Sequence, residues 1–513
     1  MKLPLIIIYH REPYDDSGFL EGGRECAQDT RSPNGVLPTL KSIFASFSQA
    51  TWVAWKQVAA ADRKEFRNYI QACQLDDRHL VYRIPLTYED IESFYYITSK
   101  EALWPILHSF ECEYKPERSD WDTFRRINIS FAEAALDAAE AACKSTDCAI
   151  DEASFFIHDY NLWLVPYYIR QRLAKAKIVF FHHTPFPEKR VFKILPKHWQ
   201  ASIIESLLCC DVCGFHIPQY VENFVSTVES LKRIESKGHR PVHSRLLGMG
   251  TKLYKPEVTT RITYNERDIF LKASPANIDV REIRRIVTSI GAKAQIEKLR
   301  LEKPVSKLIL FAGRVDYIKG AKEMLLCYER LLKKMFDLDR AQRIDRSIKL
   351  FLISAHPAKG MTVYEPIQRE IETLVARINR SYSRAGWTPI EYRTTPVPRE
   401  ELLKLYCVAD ILWAPSLRDG LNLVAKEYVA AKGGEGGVLV LSEFAGAAVE
   451  LPEAVLADPY SSVSMDRAIV AALNMQKKEQ RDRMTKMYQT IRECSIDSWA
   501  KELLGIPNAT SLG

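Results

Sequence analysis

The sequence predicts an α/β fold in which helices cover parallel β-sheets on both faces, and two observations lead to that class. Apolar, β-branched runs of four to eight residues recur along the chain. Stretches with helical periodicity separate most of these runs. Short, wholly apolar runs are typical of strands buried on both faces, and their alternation with helices is typical of parallel sheets.

Chain length and composition narrow the class of protein. With 513 residues the chain is too long for one ordinary core, so we expect two domains. Hydrophobic residues make up 47% and charged residues 27%, as in soluble globular proteins, and no apolar run reaches the roughly 18 residues of a membrane span. The opening MKLPLIIIYHREPY has too short an apolar part for a signal peptide and is interpreted as a first strand.

Cysteine usage and charge bear on compartment and partners. Eleven cysteines, an odd and scattered number, indicate a reducing, cytoplasmic compartment. The net charge of +7 suits small anionic substrates. The sequence has no motif for specific nucleic-acid binding and no membrane segment, so we expect neither as a partner.

Six predicted strands occupy the first half of the chain. They are LIIIYH (5–10), TWVAW (51–55), LVYRIPL (80–86), FFIHD (155–159), KIVFFHH (177–183) and VCGFHI (212–217). The stretch ESFYYITSKEALWPILHSF is predicted as a helix from its periodicity. Together these elements form the predicted first domain, residues 1–248.

The strands stop between about 249 and 306, and this interruption is the predicted domain boundary. Four strands follow in the predicted second domain, residues 249–480. They are KLILFAGR (307–314), IKLFLIS (348–354), DILWAPS (410–416) and GVLVLSE (437–443). The polar segment 481–513 is predicted as a helical segment that can cross back to the first domain.

Polar residues follow several predicted strands directly. They include His10-Arg11, His158-Asp159, His182-His183, Arg314 and Ser416-Leu-Arg-Asp-Gly. In open α/β sheets, ligands bind outside the carboxyl ends of the strands. Two such edges that face each other would form one cleft between two domains.

The motif GRVDYIKG (313–320) joins a predicted strand to a predicted helix and is rich in positive charge. Gly313 lets the backbone turn, Arg314 offers a planar fork for phosphate oxygens, and Lys319 adds a point charge. A diphosphate is the best-matched ligand. The alternative is a solvated basic loop paired with carboxylates such as Asp316.

The motif LRDGLNLVAKEYVAA (417–431) adds a second anion-binding feature. The helix that begins near Asn422 directs unpaired amides toward the same strand ends. Glu427 can face hydroxyls of a sugar or a ribose. The alternatives are Asp419 as a plain helix cap and Glu427 as a solvated helix residue.

Metal binding is not expected. The cluster Cys209, Cys210 and Cys213 has no second ligand pair at zinc-site spacing, so buried structural thiols are favoured. His182 and His183 are adjacent on a strand and point to opposite faces, which makes them poor joint ligands. The segment KGGEGG (432–437) matches neither the Walker spacing nor GxGxxG, the two common phosphate-binding loops, and is interpreted as a turn.

Five motifs in order carry a family resemblance: ALWPILH, IHDYNLW, FFHHTPFP, GRVDYIKG and RDGLNLVAKEY. Over nearly its whole length the chain resembles the trehalose-6-phosphate synthase family of retaining glycosyltransferases. That resemblance implies the GT-B architecture, two Rossmann-like domains with a central cleft. The motifs YHREPYD, SPNGVLPTLKS and TWVAWKQV are most similar to the family's glucosylglycerol-phosphate synthases from salt-tolerant cyanobacteria.

The resemblance implies roles for individual residues toward a nucleotide-sugar donor. The implied donor-binding residues are Gly35, Arg314, Lys319, Asp419, Asn422, Leu423 and Glu427, and the implied catalytic residues are Arg314, Lys319, His183 and Asp419. Arg314 and Lys319 would hold the diphosphate, and Glu427 the ribose. Asp419 and His183 would contact glucose hydroxyls. Gly35 would belong to a glycine-rich loop that approaches the donor from the first domain, and a plain turn glycine is the alternative for this residue.

The implied acceptor-binding residues are Arg11, Tyr95, Trp104 and Asp159. Without the family, Tyr95 and Trp104 would be interpreted as core, and Asp159 as a cap for the helix in LWLVPYYI. Asn161 stands where trehalose synthases usually have histidine, and SAHPAKG (354–360) lacks an expected arginine. These departures place glucose 6-phosphate in doubt and suit a smaller phosphorylated polyol.

The function that the resemblance implies is α-retaining transfer of glucose from ADP-glucose to sn-glycerol 3-phosphate, for synthesis of a compatible solute under salt stress. No cofactor is expected. A phosphatase would act on the product, and a homo-oligomer is left open. The alternatives are a trehalose-6-phosphate synthase and a catalytically silent homologue that binds nucleotide sugar.

Overall fold

The computed structural model describes residues 4–13, 35–47, 49–59, 70–72, 79–244, 247–248, 251–302, 306–342, 348–356, 361–384 and 386–506. The chain folds into two compact units. The first consists of Met1–Asp29, Val36–Ala276 and Ile496–Gly513, and the second of Thr30–Gly35 and Asn277–Ser495. Among the described residues, no helix is both long and apolar enough to cross a bilayer.

The described part of the first unit contains one sheet of ten strands. The strands are β1 (Leu5–Ile8), β2 (Ala50–Gln57), β3 (Ile70–Ala72), β4 (His79–Leu86), β5 (Ser154–His158), β6 (Lys177–His182), β7 (Val212–Phe215), β8 (Glu235–Pro241), β9 (Glu257–Tyr264) and β10 (Arg267–Ala273). Six of them are parallel in the order β4-β2-β1-β5-β6-β7. Strand β10 continues the sheet in parallel beside β7, whereas β3, β9 and β8 pair antiparallel.

Helices of the first unit connect and cover these strands. They are α1 (Val36–Ser46), α2 (Tyr88–Ile91), α3 (Trp104–Leu107), α4 (Trp121–Thr146), α5 (Val165–Arg172), α6 (Lys189–Phe192), α7 (Lys197–Leu207) and α8 (Pro218–Glu229). A π-helix, Glu92–Leu103, joins α2 to α3 without a break. The predicted helix over ESFYYITSKEALWPILHSF is therefore present, but most of it has π geometry.

The second unit contains a wholly parallel sheet of six described strands in the order β13-β12-β11-β14-β15-β16. The strands are β11 (Lys307–Arg314), β12 (Ile348–Ala355), β13 (Ile390–Arg393), β14 (Ile411–Ala414), β15 (Val438–Ser442) and β16 (Val455–Ala457). The helices are α9 (Val280–Thr288), α10 (Ile290–Glu302), α11 (Ala321–Gln342), α12 (Glu365–Tyr382), α13 (Arg399–Val408), α14 (Leu423–Lys432), α15 (Ala447–Glu450), α16 (Ser462–Asn474) and α17 (Lys477–Glu493).

Both units share the strand order of a Rossmann-like sheet. Numbered within its own unit, each set of six parallel strands runs 3-2-1-4-5-6. The predicted α/β class with two Rossmann-like domains is confirmed, and every apolar run predicted as a strand forms one. The segment KGGEGG joins α14 to β15 as a turn, at the end of the sheet opposite the carboxyl ends of its strands.

The core of the second unit shows why these residues form helices. Buried residues of α11 recur at intervals of one, three and four: Ala321, Met324, Leu325, Tyr328 and Leu332. This spacing places them on one face of the helix, against buried strand residues such as Ile309 and Leu350. Each large apolar side chain buried in this way contributes about 1.5–3 kcal/mol.

The predicted boundary at residue 249 needs correction, because β9 and β10 belong to the sheet of the first unit. The first unit continues to Ala276. These strands pair antiparallel through a turn at Asn265 and Glu266, whose φ angles are +48° and +63°. A search for continuous apolar runs misses such a hairpin, because strands with one exposed face alternate polar and apolar residues.

The end of the chain divides between the units. Helix α17 lies in the second unit, and a last helix, α18 (Ile496–Leu504), lies in the first. Trp499 of α18 is buried, donates its indole N–H to the carbonyl of Ser274 at 3.0 Å and packs with its ring centroid 4.7 Å from that of Phe181. Helix α18 thus completes the core beside β6 and β10.

Candidate functional site

The candidate site of the second unit lies where the connections of its sheet change direction. Strands β11 and β14 are parallel neighbours, while β12 lies on one side of them and β15 on the other. Ligands of doubly wound sheets bind outside the carboxyl ends of the strands at such a switch point. The motifs GRVDYIKG and LRDGLNLVAKEYVAA follow β11 and β14, so both motifs contribute to this edge.

Arg314 is oriented by a buried carboxylate. Its Nε and Nη2 donate to Asp316 Oδ2 at 3.3 and 3.1 Å, while Asp316 Oδ1 accepts from the amide of Ile318 at 3.3 Å. The Asp316 side chain has no exposed surface, whereas 39% of the Arg314 side chain is exposed. The ion pair considered as an alternative in the sequence analysis is therefore present. It fixes the guanidinium at the sheet edge with solvent-accessible surface remaining.

Lys319 and Asp419 join the two loops. Lys319 Nζ donates to Asp419 Oδ2 at 2.7 Å, and Ser416 Oγ and Asn422 Nδ2 donate to the same oxygen, each at 3.2 Å. The amide of Leu417 also donates to the carbonyl of Ile318 at 2.7 Å. The two loops therefore form one hydrogen-bonded surface.

The amino end of α14 lies at this surface. Asn422 caps the helix by accepting from the amide of Ala425 at 3.0 Å, in a left-handed backbone conformation with φ of +78°. The first amides of a helix have no partner within it, and the helix dipole places partial positive charge there. Leu423 is the first residue of α14. This end of the helix can accept an anion together with Arg314 and Lys319.

Glu427 is buried rather than solvated. It accepts from Arg399 Nη1 at 2.6 Å and is 1% exposed. Burial raises the pKa of Glu427, and the Arg399 charge acts in the opposite direction. Sequence reasoning missed Arg399, because its position at the start of α13 is ordinary for an exposed arginine. The role of Glu427 toward a ribose stays a prediction.

Gly35 lies directly before α1 and has φ of +99°, a conformation that favours glycine. The preceding residues of SPNGVLP lie outside the described residues. Its proposed role toward the donor stays a prediction.

The first unit has an equivalent switch point between β1 and β5. Arg11 follows β1 and donates through Nη2 to the Tyr95 hydroxyl at 3.0 Å, while its carbonyl accepts from the Trp52 indole at 2.9 Å. Asp159 follows β5 directly. Three of the four predicted acceptor-binding residues, Arg11, Tyr95 and Asp159, are therefore at this edge. The fourth, Trp104, directly follows the π-helix that contains Tyr95.

The π-helix determines which side chains share this edge. Its hydrogen bonds span five residues, as shown by the amide of Trp104 donating to the carbonyl of Ser99. In an α-helix, Tyr95 and Trp104 would point about 180° apart. Here Lys100 lies between them, with Nζ 5.3 Å from the Tyr95 ring centroid and 3.7 Å from the Trp104 ring centroid. Sequence reasoning missed Lys100, because α-helical periodicity places it about 140° around the helix from Tyr95.

Asp159 is strained and buried. Its backbone has φ of +72° and ψ of 162°, an arrangement that costs on the order of 1–3 kcal/mol for a residue with a side chain. Burial raises the pKa of Asp159 to about 6, although Lys100 and hydrogen bonds from Tyr160, His183 and Thr184 oppose that shift. Strain and a shifted pKa together are typical of functional residues.

The raised pKa of Asp159 predicts that this residue lowers the free energy of unfolding in a pH-dependent way. The folded state holds the Asp159 proton to higher pH than the unfolded chain, so its contribution to stability falls as pH rises from 3.8 to about 6. Asp159→Asn removes this cost. Urea unfolding should therefore show the variant gaining about 1 kcal/mol relative to wild type between pH 5 and pH 7.5.

Asp120→Asn is the matched control for that measurement. Asp120 caps α4 by accepting from the amide of Thr123 at 3.0 Å, and that hydrogen bond lowers its pKa. It is ionised in both states above pH 5, so its stability difference should stay constant over the same range. A constant difference for Asp159→Asn as well would contradict the raised pKa.

His183 lies in a buried histidine cluster beside Asp159. Its Nε2 is 3.1 Å from His158 Nδ1, its carbonyl is 3.1 Å from His216 Nε2, and its amide donates to Asp159 Oδ1 at 3.3 Å. Burial, followed by the charges of neighbouring histidines, holds the pKa of His183 well below its ordinary value. His183 is therefore neutral at pH 7 and can exchange hydrogen bonds with hydroxyls.

The described residues do not favour a metal site. His182 points away from His183, toward Phe186 and Phe215, and the two rings do not form a joint ligand set. Within the described ranges, no three histidine, cysteine, aspartate or glutamate side chains are grouped as metal ligands. Cys210 and Cys213 carry buried, free thiols.

Of the two departures from the trehalose-synthase sequence pattern, Asn161 and SAHPAKG, the structure describes the first fully and the second only in part. Asn161 is buried, and its Nδ2 donates to Ser99 Oγ at 2.8 Å, while Ser99 Oγ donates to the carbonyl of Phe94 at 2.8 Å. Asn161 therefore supports the π-helix. Residues 357–360 of SAHPAKG lie outside the described residues.

Comparison with known proteins agrees with these features. The chain matches the sequence model of glycosyltransferase family 20 over residues 4–506. It is 49% identical to a glucosylglycerol-phosphate synthase of Synechocystis sp., over 98% of this chain and 97% of that protein. It is 47% identical to a protein of the same name from Picosynechococcus sp., over 100% and 98%. A solved trehalose-6-phosphate synthase, OtsA, has a TM-score of 0.80 at 25% identity and covers 98% of this chain and 99% of its own.

Two Rossmann-like sheets with polar switch points, together with these matches, define a glycosyltransferase of the GT-B type. The chain belongs to glycosyltransferase family 20. The predicted resemblance to the trehalose-6-phosphate synthase family, and within it to the glucosylglycerol-phosphate synthases, is confirmed.

Proposed function

We propose that this glycosyltransferase moves glucose from ADP-glucose to the 2-hydroxyl of sn-glycerol 3-phosphate, giving 2-O-(α-D-glucosyl)-sn-glycerol 3-phosphate. One observation carries the acceptor: the similarity, over nearly the full length, to proteins named glucosylglycerol-phosphate synthase. ADP-glucose as the donor follows from the resemblance described in the sequence analysis.

The switch point of the second unit supports binding of a nucleotide diphosphate. Arg314 supplies a planar fork, Lys319 supplies a point charge, and the amino end of α14 adds partial positive charge. An ammonium group has three donors, so Lys319 can keep Asp419 at 2.7 Å and bind a phosphate oxygen as well. Asp419 is thereby held where it can accept from donor hydroxyls.

These charges also suit the chemistry of glucosyl transfer. When the bond between glucose and the diphosphate breaks, negative charge develops on the leaving phosphate. Arg314 and Lys319 stabilise that charge, and a single positioned donor of this kind is worth about 2.7–4 kcal/mol. The departing phosphate oxygen takes the proton of the acceptor hydroxyl, which attacks from the same face, so the α-configuration is retained.

The first unit supports a phosphorylated acceptor. Arg11 and Asp159 lie at its switch point, where one can bind phosphate and the other can accept from a hydroxyl. His183 is neutral and adjacent to Asp159, which lets it contact a sugar without adding charge. Asn161, which stands where trehalose synthases usually have histidine, donates to Ser99 of the π-helix that carries Tyr95.

A panel of initial rates tests the proposal. Release of nucleotide diphosphate is measured with ADP-glucose or UDP-glucose as donor, and with glycerol 3-phosphate or glucose 6-phosphate as acceptor. We expect release with glycerol 3-phosphate and ADP-glucose. Release with glucose 6-phosphate alone would identify a trehalose-6-phosphate synthase, and nucleotide binding without release would identify a silent homologue.

The product defines the next reaction. Glucosylglycerol phosphate retains the acceptor's phosphate, so a phosphatase must act on it before a neutral solute of the kind used against salt stress is formed. Adding a phosphatase to the assay should convert the product to an uncharged glucoside, which mass spectrometry detects.

A further inference from the structure

A cavity lined by charged side chains lies in the second unit, away from the site described above. Its volume is about 280 Å³. Asp410 and Gly437 line it and directly precede β14 and β15, so the cavity is at the amino ends of these strands. Arg314 lies at the carboxyl end of β11, which is parallel to β14. The cavity and the predicted diphosphate site are therefore at opposite ends of one sheet.

The cavity has an excess of positive charge. Its charged lining residues are Arg300, Asp410, Lys432, Glu435, Lys477 and Arg481. Two of these are paired with residues outside the lining: Arg300 Nη1 donates to Glu297 Oε1 at 2.6 Å, and Glu435 Oε1 lies 3.7 Å from Arg284 Nη2. Three cations and one carboxylate, Asp410, remain, which leaves an excess of two positive charges.

Two of the remaining cations have contacts that do not neutralise them. Lys432 Nζ donates to the carbonyl of Cys407 at 3.0 Å and lies 5.5 Å from the Tyr428 ring centroid, while Arg481 Nε donates to the carbonyl of Lys477 at 3.4 Å. Within the described ranges, neither side chain has a carboxylate oxygen within 4.0 Å. Burial lowers the pKa of Lys432 to about 8, although nearby acidic groups oppose this shift. An anion in the cavity would stabilise both charges.

Backbone amides add donors at the same cavity. Helix α17 begins at Lys477 without a side-chain cap, so its first amides lack a partner from the helix or from a capping side chain. Gly436 is buried, and among the residues that the structure describes its amide has no hydrogen-bond partner. Unpaired amides and the partial positive charge at the start of a helix both favour an anion.

The carboxyl ends of α13 and α14 also lie at this cavity, and their partial negative charge would oppose an anion. Cations already occupy both ends. Lys432 donates to the Cys407 carbonyl of α13, and Arg284 Nη1 donates to the Ala431 carbonyl of α14 at 2.7 Å. An ammonium has three donors, so Lys432 can keep this contact and bind a ligand as well.

We propose that this cavity binds the phosphate group of a small anion, at a site separate from that of glucosyl transfer. A phosphate monoester carries a charge of about −1.5 to −2 at pH 7, which matches the excess of two positive charges. Arg481 offers a planar fork for phosphate oxygens, and Lys432 offers a point charge. The turn KGGEGG thus contributes to a phosphate site although its sequence matches neither common phosphate-binding loop.

The size of the cavity limits the ligand. Pockets for small molecules usually have volumes of roughly 300–1,000 Å³, and this one is at the lower end of that range. The ligand is therefore inorganic phosphate or a small phosphorylated metabolite. The two sources share the phosphate chemistry and are distinguished by the experiment.

Hydrogen–deuterium exchange of the full-length protein, measured by mass spectrometry of its peptides, tests the proposal. Wild-type protein is titrated with inorganic phosphate, with glycerol 2-phosphate as a phosphomonoester, and with sodium chloride at matched ionic strength. We expect a saturating phosphate compound to slow exchange at least about 3-fold in residues 433–437 and in the first turn of α17. Sodium chloride should not slow exchange there.

Variants on α17 test the residues of the site. Arg481 is exposed, so Arg481→Gln should fold, and the phosphate concentration for half-maximal protection should rise about 10-fold to 100-fold. The Lys477 side chain is 70% exposed, and Lys477→Gln should weaken binding less. Arg483→Gln is the matched control, because Arg483 is on the same helix, pairs with Glu479 and does not line the cavity. It should leave the half-maximal concentration unchanged.

Three results would overturn the proposal: no slowing by either phosphate compound, equal slowing by sodium chloride, or the same half-maximal concentration for Arg481→Gln and wild type. Tighter binding of glycerol 2-phosphate than of inorganic phosphate would support the proposal and identify a phosphorylated metabolite as the ligand. The reverse order would support it with inorganic phosphate as the ligand. None of these results depends on which donor and acceptor the glucosyl transfer uses.

Discussion

Arg314→Ala is expected to lower kcat by about 100-fold to 1,000-fold, the usual cost of removing one positioned donor to developing negative charge. The guanidinium is held at the end of β11 by the buried Asp316. Alanine removes both the fork and the charge. The measurement is release of nucleotide diphosphate at saturating donor and acceptor.

Two variants distinguish charge from a general loss of structure. Arg314→Lys keeps the charge but not the fork, and should recover part of the lost rate. Arg369→Ala removes an exposed arginine of α12 and should leave kcat unchanged. Equal rates for Arg314→Ala and wild type would remove Arg314 from the catalytic residues.

Gly320→Ala is expected to destabilise the second unit by about 2–5 kcal/mol, from overpacking and backbone strain together. A Cβ at this position would lie 2.0 Å from the carbonyl oxygen of Pro415, and φ is +68°. This close approach joins the loop after β11 to the loop after β14. The variant should therefore also bind ADP more weakly, because the two loops would separate. Urea unfolding and isothermal titration with ADP measure the two effects.

Substitutions at two other glycines separate the destabilisation caused by backbone strain from that caused by overpacking. Gly386 has φ of +74°, and a Cβ added there would have no neighbouring atom within 4 Å, so Gly386→Ala should cost about 1–2 kcal/mol from strain alone. Gly291 lies in α10 with open space around it, so its substitution by alanine should be neutral or stabilising. A Gly320→Ala effect no larger than that of Gly386→Ala would show that the contact with Pro415 is unimportant.

The second unit was predictable from sequence because its signals are local. Wholly apolar runs indicated four of its six parallel strands, β11, β12, β14 and β15, and the charged motif after β11 indicated the anion-binding edge. The short strands β13 and β16 were not predicted. The hairpin of β9 and β10, which belongs to the first unit, was missed, because half-exposed strands lack such runs. The contact between Gly320 and Pro415 links segments distant in sequence, so no local pattern could indicate it.

In the first unit, prediction from sequence failed for a different reason. Lys100 was not recognised because its position depends on the number of residues per turn, and α-helical periodicity was assumed for the whole stretch. The one available signal is that Tyr95 precedes Lys100 by five residues and Trp104 by nine, spacings that would separate Tyr95 from both in an α-helix. The burial of Glu427 against Arg399 likewise depends on tertiary packing.

A competition assay tests the central claim most directly. Wild-type protein is given ADP-glucose with equal concentrations of glycerol 3-phosphate and glucose 6-phosphate, and the products are quantified by mass spectrometry. Their ratio measures the relative kcat/KM of the two acceptors in one experiment. Glucosylglycerol phosphate as the dominant product is the predicted result. Trehalose phosphate as the dominant product would contradict it.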